Sequence, residues 1–516
     1  MPNPSLLRVP LTVLVLGLVA PAVRGGEDTE KEEFPPIHES LLGGRAPFLV
    51  MAQVNHPNLD YREGDNFSVR VASEEEAFVY VLYQQADGKI YQIFPNKHQP
   101  NNRLAARQAV EIPASDDLFR WVVGSPFGKE RVKVIASKSE LDVLADPKFR
   151  TQRFSPVSVQ SFKGIELELG DEEPAQWAET DVEIHTYPRG TPPTDRGTKR
   201  YGVFFGVSKH MFREEVMEAT RDPEGGCWDP DLFACHRDAQ KFGAVMHEIG
   251  RLNDFKVFTN DQATKANMQE AIAQWLPEVS RPGDTVFIFF SGHTGQIPDL
   301  DGEEPDGKDE YMVPHDFVDP GVLAILERKA QANELTYQPL LERVQKLSHL
   351  ARSAGENAFV VLTHDTCITD DLLARWLQRL AGRQVILVMD SCHSAGYATK
   401  ENEPQRARDL GPMNMLDREL QRLRDLGQPN QALLASALSD ESAGEIIDKS
   451  MGNMTFFVVD AMNRAQGPVR LEEAFAYCKA NMKGYFEALE KKLGKPVHAH
   501  QPFMVNYCKE PVYMKP

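Results

Sequence analysis

Thr285-Val-Phe-Ile-Phe-Phe290 runs directly into Ser291-Gly-His293-Thr-Gly295, and Val385-Ile-Leu-Val-Met389 runs directly into Asp390-Ser-Cys392-His-Ser-Ala-Gly396. Both leading runs are almost wholly apolar, without the alternation of a half-exposed strand, so they read as strands buried on both faces of a parallel sheet. The carboxyl ends of such strands line the ligand crevice, so a His and a Cys just past two of them can face one another. A thiol attacks as thiolate, and a nearby imidazole can take its proton or stabilise the ion pair. Glycines beside the His admit a substrate backbone, and the N–H of Cys392 can help hold a developing oxyanion. Taken singly, a buried Cys and a loop His are ordinary structural residues; their joint placement after two buried strands makes them a candidate site.

Outward from these strands the pattern alternates. Strands are expected at Tyr201 to Val207, Lys256 to Thr259 and Gln431 to Ser436, with helices near Ala239 to Leu252, Lys265 to Leu276 and Thr369 to Leu380. A helical insert is expected from Val322 to Ala354. Upstream, Pro188 to Gly197 is rich in Pro, Gly and Thr and reads as a connection between domains. Before it lie short β-rich runs, among them Phe78 to Tyr83, an Asp87-Gly88 turn and Ile90 to Phe94, which is a hairpin. Further runs at Phe67 to Val71, Phe119 to Val123, Arg131 to Ala136, Ile165 to Leu169 and Val182 to Tyr187 point to a β-sandwich.

The chain has 516 residues, 41% hydrophobic and 26% charged, which fits a folded globular protein and excludes a rod or a disordered chain. Its net charge of -19 argues against nucleic acid as the main ligand. Arg8, the apolar run Leu11 to Ala20 and Pro21-Ala22 have the order of a secretory signal peptide, and ten apolar residues are too few to span a membrane. The expected organisation is a signal peptide over 1–25, an acidic linker over 26–45, a β-rich domain over 46–188, a linker over 189–198 and an α/β domain over 199–510. Export places the protein outside the cytoplasm, secreted or periplasmic, with no transmembrane anchor in the mature chain. Six cysteines (227, 235, 367, 392, 478, 508) are too sparse for a disulfide framework, and neither C-x-x-C nor H-E-x-x-H occurs.

Phe290-Ser-Gly-His-Thr-Gly-Gln296, Asp299 to Glu310 with Val313-Pro314, Ile368 to Trp376 and Asp390-Ser-Cys-His-Ser394 appear in an order that resembles the caspase-like cysteine peptidases, in their metacaspase and bacterial orthocaspase branch. Leu434 to Ala437, Glu441 to Glu445 and Gly452 to Phe456 resemble the same family's small subunit. The resemblance implies a caspase-like α/β fold over about 198 to 506, with His293 as general base or ion-pair partner and Cys392 as nucleophile. It further implies an oxyanion hole from Cys392, Thr294 and Gly295, and an acidic pocket for substrate Arg or Lys from Asp238 and Asp390. A carboxylate pair can hold a guanidinium by charge-assisted hydrogen bonds. For Asp238 the other reading is a helix N-terminal residue favoured by the dipole. The first domain resembles an uncharacterised β-rich bacterial family through Gly64-Asp65, Tyr80 to Tyr83, Ile93 to Asn96 and Gly128 to Glu130; that carries no activity with it.

Two residues depart from the family's pattern. Thr294 stands where it usually has Gly, which would strain the loop if the position needs positive φ, and Ala395 separates Ser394 from Gly396. Nine acidic residues between Asp299 and Asp319, against the single Lys308, read as a solvated loop that adds to substrate attraction. Calcium held by Asp306 and Asp309 is the alternative, without the complete EF-hand spacing, and no cofactor is required for the chemistry. The expected function is a secreted cysteine endopeptidase acting on protein or peptide substrates after Arg or Lys. Its rival is an inactive envelope scaffold acting through the β-rich domain, for which a protein or envelope partner is expected. Lys400 to Asn430 carries six basic residues between breakers and reads as a cleavable surface segment, with Leu416 to Leu426 as a charged helix within it.

Overall fold

The computed structural model describes residues 7–10, 48–56, 58–152, 155–157, 176–192, 197–223, 226–299, 307–393, 417–437, 445–446, 450–494 and 500–516. The signal-peptide core, the acidic linker, Ile165 to Leu169, Asp306, the 394–396 loop and Arg406 and Arg408 lie outside them. The chain divides into two compact units, 1–196 and 197–516.

In the first unit the expected hairpin is present: Ala77–Gln84 pairs antiparallel with Ile90–Phe94. Gly88 at φ +85° turns the chain where a residue with a Cβ would be strained. The sheet continues from Ala77–Gln84 through Lys129–Ser137 to Trp177–Tyr187. Along the hairpin strand the side chains alternate. Val79, Val81 and Tyr83 enter one core with Val50, Val69 and Trp121, whereas Tyr80 and Leu82 enter a second with Leu141, Leu144 and Phe149. The first core includes residues of a smaller sheet of Val50–Val54, Val69–Ser73 and Val110–Ile112, so the unit is sandwich-like. The second includes residues of two short helices, Asp142–Ala145 and Pro147–Thr151.

Among the described residues of the second unit the main path of an eight-stranded sheet runs through β1 (Arg200–Gly206), β2 (Asp254–Thr259), β3 (Thr285–Pro298), β5 (Gln384–His393), β6 (Gln431–Ala435) and β7 (Phe503–Asn506), with β4 (Lys308–Met312) folded back on β3 and the short Ile368–Thr369 paired with β4. The order across the sheet is β2-β1-β3-β5-β6-β7, parallel except for β7, and β4 pairs antiparallel with the end of β3. Helices α1 (Cys235–Glu248), α3 (Asn453–Arg464) and α4 (Leu471–Leu493) share a core with Phe204, Phe289, Val388 and Leu434. The intervening residues Phe205, Ile288 and Leu387 point to the opposite face and are equally buried. This is the mostly parallel, two-sided sheet expected from the apolar runs. α2 (Asp370–Gln378) follows the insert and precedes β5.

The structure extends three expectations. β3 and β5 do not stop before the reactive residues; they run on through His293 and Cys392. The insert holds a third helix, Ala358–Thr366, beyond Leu323–Gln331 and Gln338–Ala354; its Phe-Val-Val-Leu run lacks helical periodicity, which hid it from the sequence reading. The expected helix from Lys265 to Leu276 is broken by a π-turn at Glu270–Trp275.

Candidate active site

The register of β3 on β5 sets the site. Both strands are parallel and in step from Thr285 opposite Gln384, so His293 falls directly opposite Cys392, and Ser291 opposite Asp390. Strand neighbours of this kind stand about 4.8 Å apart along the hydrogen-bonding direction. On the other side of β3, pairing with β1 ends at Ser291, and β4 folds back there to pair with Thr294 to Pro298.

His293 is buried, and its Nε2 lies 2.8 Å from the carbonyl oxygen of Pro230. A carbonyl only accepts, so Nε2 carries the hydrogen and donates it. The tautomer is thereby fixed with the lone pair on Nδ1, which meets no hydrogen-bond partner among the described residues. Burial holds the imidazole below its ordinary pKa, while the Pro230 hydrogen bond and the Asp231 charge oppose that shift. The ring is flanked by His210, 5.4 Å between centroids, and Trp228, 5.8 Å. Burial, then the His293 and His315 charges, push His210 down to about 3, so it too is neutral.

The two candidate pocket carboxylates converge. Asp238, in the first turn of α1, is fully buried; it accepts hydrogen bonds from Ser291 Oγ (3.0 Å) and from the Gly452 N–H (2.9 Å). Asp390 accepts from the Thr455 N–H (2.9 Å) and hydroxyl (2.5 Å), and burial pushes its carboxyl above the usual range. A Cβ on Gly452 would stand 2.8 Å from Asp390 Cγ and 3.1 Å from Asp238 Oδ2. Only glycine fits there, because both carboxylates close on its backbone. Asp238 is thus tied across the domain to Gly452 rather than serving only its own helix.

Thr294 and Gly295 lie within β3, paired with Met312 and Tyr311 of β4. Thr294 is extended and is not among the positive-φ residues, so the strain expected if that position needed positive φ is absent. Gly295 answers to packing instead: a Cβ there would come within 2.6 Å of the Tyr311 ring. Asp309 is buried and pairs with His364 at 3.2 Å. Beside it, Asp370 is pushed well above the carboxylate range by burial and by Glu310, Glu419, Asp371 and Asp309. Arg422 donates to Asp371 (2.7 Å) and to Glu419 (2.9 Å). Among the described residues no three His, Cys, Asp or Glu side chains come together as a metal-holding set.

Parts of the chain are similar to known proteins. Residues 225–351 match a family model described as "Metacaspase, peptidase C14 domain", and residues 60–140 match a domain of unknown function, DUF4384. Part of the second unit is thus similar to a metacaspase peptidase domain. The matched residues include Asp238 and His293; Cys392 lies beyond them. Metacaspase-1B of Aspergillus oryzae is 33% identical over 162 residues, 26% of this chain and 38% of that protein. Metacaspase-1 of Emericella nidulans is 33% identical over 146 residues, 24% of this chain and 36% of that protein. The matched stretches thus span little more than a third of these relatives. Caspase-1 from Spodoptera frugiperda superposes over 63% of this chain and 94% of its own at 9% identity, with a TM-score of 0.35.

Within the second unit, sequence reasoning missed Pro230, Ser291 and Thr455 as partners of the site, and gave Gly452 no role. Gly452 and Thr455 stand in a stretch quoted above only for its resemblance, and Ser291 stands in the Ser-Gly-His motif. Pro230 offers only a backbone oxygen, for which no residue type is diagnostic. Among the described residues no disulfide joins the other cysteines, and burial pushes the thiols of Cys367 and Cys478 up and that of Cys508 up to about 12. Such thiols are poor nucleophiles.

Proposed function

We propose that this protein is an exported cysteine endopeptidase that cleaves after Arg or Lys, with Cys392 as nucleophile and His293 as its base. The observation that carries the reading is the Nδ1 of His293, left as a lone-pair acceptor by the Pro230 hydrogen bond, on the residue that is the register partner of Cys392. In this reading Nδ1 takes the thiol proton as sulfur attacks the P1 carbonyl carbon. The same proton then passes to the leaving amine, and a water activated by Nδ1 opens the acyl-enzyme. The N–H of Cys392, with those of Thr294 and Gly295, is the proposed oxyanion hole.

Asp238 and Asp390 supply the specificity. A substrate guanidinium or ammonium entering beside Gly452 meets two buried carboxylates and pulls the raised Asp390 into its charged form, whereas a substrate Asp would add a third negative charge. Calcium supplies no step in this proposal: Asp309 is engaged by His364, and Asp306 lies outside the described residues. Export by the N-terminal signal peptide, and recognition of an envelope or protein partner by the first unit, complete it. Among the described residues no helix is long and apolar enough to cross a membrane.

The test is covalent labelling with an Arg-containing acyloxymethyl ketone. Stoichiometric adduct at Cys392, absent from Cys392→Ala and from an Asp-containing analogue of the reagent, is expected. An Arg reagent that leaves Cys392 unmodified in folded protein contradicts the proposal.

A further inference from the structure

We propose that the helical insert positions the catalytic base from outside the site, through a clasp in which Arg213 grips Asp229 and Asp231 on either side of Pro230. The inference rests on the peptidase reading above and adds a role for residues that touch neither thiol nor substrate.

The clasp starts at the Pro230 carbonyl, the oxygen that fixes the His293 tautomer. On one side of it, Asp229 receives both arms of Arg213, Nε at 2.8 Å and Nη2 at 2.5 Å, a planar two-point grip that lysine cannot reproduce. On the other side, Asp231 Oδ2 lies 3.2 Å from Arg213 Nε and 2.9 Å from Lys209 Nζ. Asp231 Oδ1 accepts the His210 N–H at 3.1 Å. The backbone is tied at the flanks as well: Trp228 N–H donates to Thr220 Oγ1 (3.0 Å) and Leu232 N–H to the Ser208 carbonyl (2.9 Å). A loop residue whose only catalytic contribution is a carbonyl is therefore held from both sides by one guanidinium.

The helix that carries that guanidinium packs against the insert. Arg213 opens the short helix Arg213–Ala219, and the flanking Phe212 and Val216 share a core with Leu326, Val344, Leu347 and Leu362 of the insert's helices. Two ion pairs fasten the same helix to the insert, Glu215 to Lys329 at 2.5 Å and Glu218 to Arg328 at 2.6 Å. Trp228 closes a second route, since it packs against this core while its ring lies 5.8 Å from that of His293. Exposed ion pairs add little to stability, and Arg213 and Asp229 are 36% and 44% exposed. Their effect is on geometry, where a displacement of about 1 Å at a catalytic group costs on the order of a hundredfold in rate.

The test compares wild type, Arg213→Ala, Arg213→Lys and Glu215→Gln in the full chain. Three readouts are followed: kcat and KM on an Arg-P1 peptide, the rate of iodoacetamide alkylation at Cys392, and the melting temperature. Arg213→Ala is expected to lower kcat about tenfold and slow alkylation, with KM within twofold of wild type; Arg213→Lys restores part of the loss. Unchanged kcat and alkylation in folded Arg213→Ala overturn the inference, as does a rise in KM alone, which would make Arg213 a substrate contact. If Arg213→Ala does not fold, Glu215→Gln decides: a smaller kcat loss at constant KM supports the clasp, and none overturns it. Failure of the peptidase reading is distinct, because wild type would then cleave no peptide, while the alkylation rates of Cys392 would still decide whether Arg213 positions His293.

Discussion

In the proposed mechanism His293 depends on one oxygen and on burial. The Pro230 carbonyl dictates which ring nitrogen carries the hydrogen, and burial keeps the ring neutral at the pH where a base is needed. Burial disfavours the imidazolium, against the opposing Pro230 hydrogen bond and Asp231 charge. The acidic limb of kcat/KM is therefore expected below the ~6.5 of an ordinary imidazole, and a limb well above 7 in the free enzyme would contradict a neutral base. Gly452 makes the corresponding argument for the pocket. Gly452→Ala puts a methyl 2.8 Å from Asp390 Cγ, so the expected result is a rise in KM for Arg and Lys peptides of tenfold or more (~1.4 kcal/mol). Unreactive-site effects are separated by alkylation of Cys392 with iodoacetamide, which the alanine should leave unchanged; an unaltered KM would remove Gly452 from the pocket.

Among the elements, β3 and β5 show how much could be read and what could not. Their apolar runs and the residues that follow them identify the sheet and the His–Cys pair, because two-sided burial leaves a direct mark on composition. The continuation of both strands through His293 and Cys392 leaves no such mark, since the strands pair through backbone groups that any residue type offers. The meeting of Asp238 and Asp390 at Gly452 was likewise hidden in the absence of a side chain, across more than two hundred positions of sequence. The segment after β5 behaves as a mixture. Asp417–Asp425 is a helix, with Arg422 buried against Asp371 and Glu419, so its backbone and that arginine are unsuited to cleavage. Cleavage is expected instead at Arg406 or Arg408. Incubated wild type should yield new termini there by mass spectrometry while Cys392→Ala stays whole; identical fragments from both would exclude self-cleavage.

At the scale of the molecule, the first unit carries a pH dependence of its own. Glu130, inside the sheet of the hairpin, is pushed up to about 7 by burial, against the hydrogen bonds from Tyr83, the Ala86 N–H and Thr186. A carboxyl bound more tightly to its proton in the folded state stabilises the fold below the unfolded value of about 4.5, and that contribution is lost as pH rises through about 7. Glu130→Gln keeps the shape without the charge. The stability of the variant relative to wild type is therefore expected to grow between pH 5 and 8 by on the order of 2 kcal/mol, read by denaturant titration at each pH. A constant difference would show that Glu130 titrates normally. The two-layer β unit was legible from its turns and alternating strands, whereas a buried carboxylate on a strand looks in sequence like any exposed one.

The central claim is a Cys392–His293 peptidase whose pocket selects a cation, and it is tested most directly by a fluorogenic peptide series differing only at P1, read with wild type and Cys392→Ala. Arg and Lys peptides are predicted to be cleaved at least a hundredfold faster than the Asp peptide, in keeping with like-charge repulsion of several kcal/mol at a wrong partner, and Cys392→Ala to cleave none. Faster cleavage after Asp, or undiminished cleavage by folded Cys392→Ala, would contradict it.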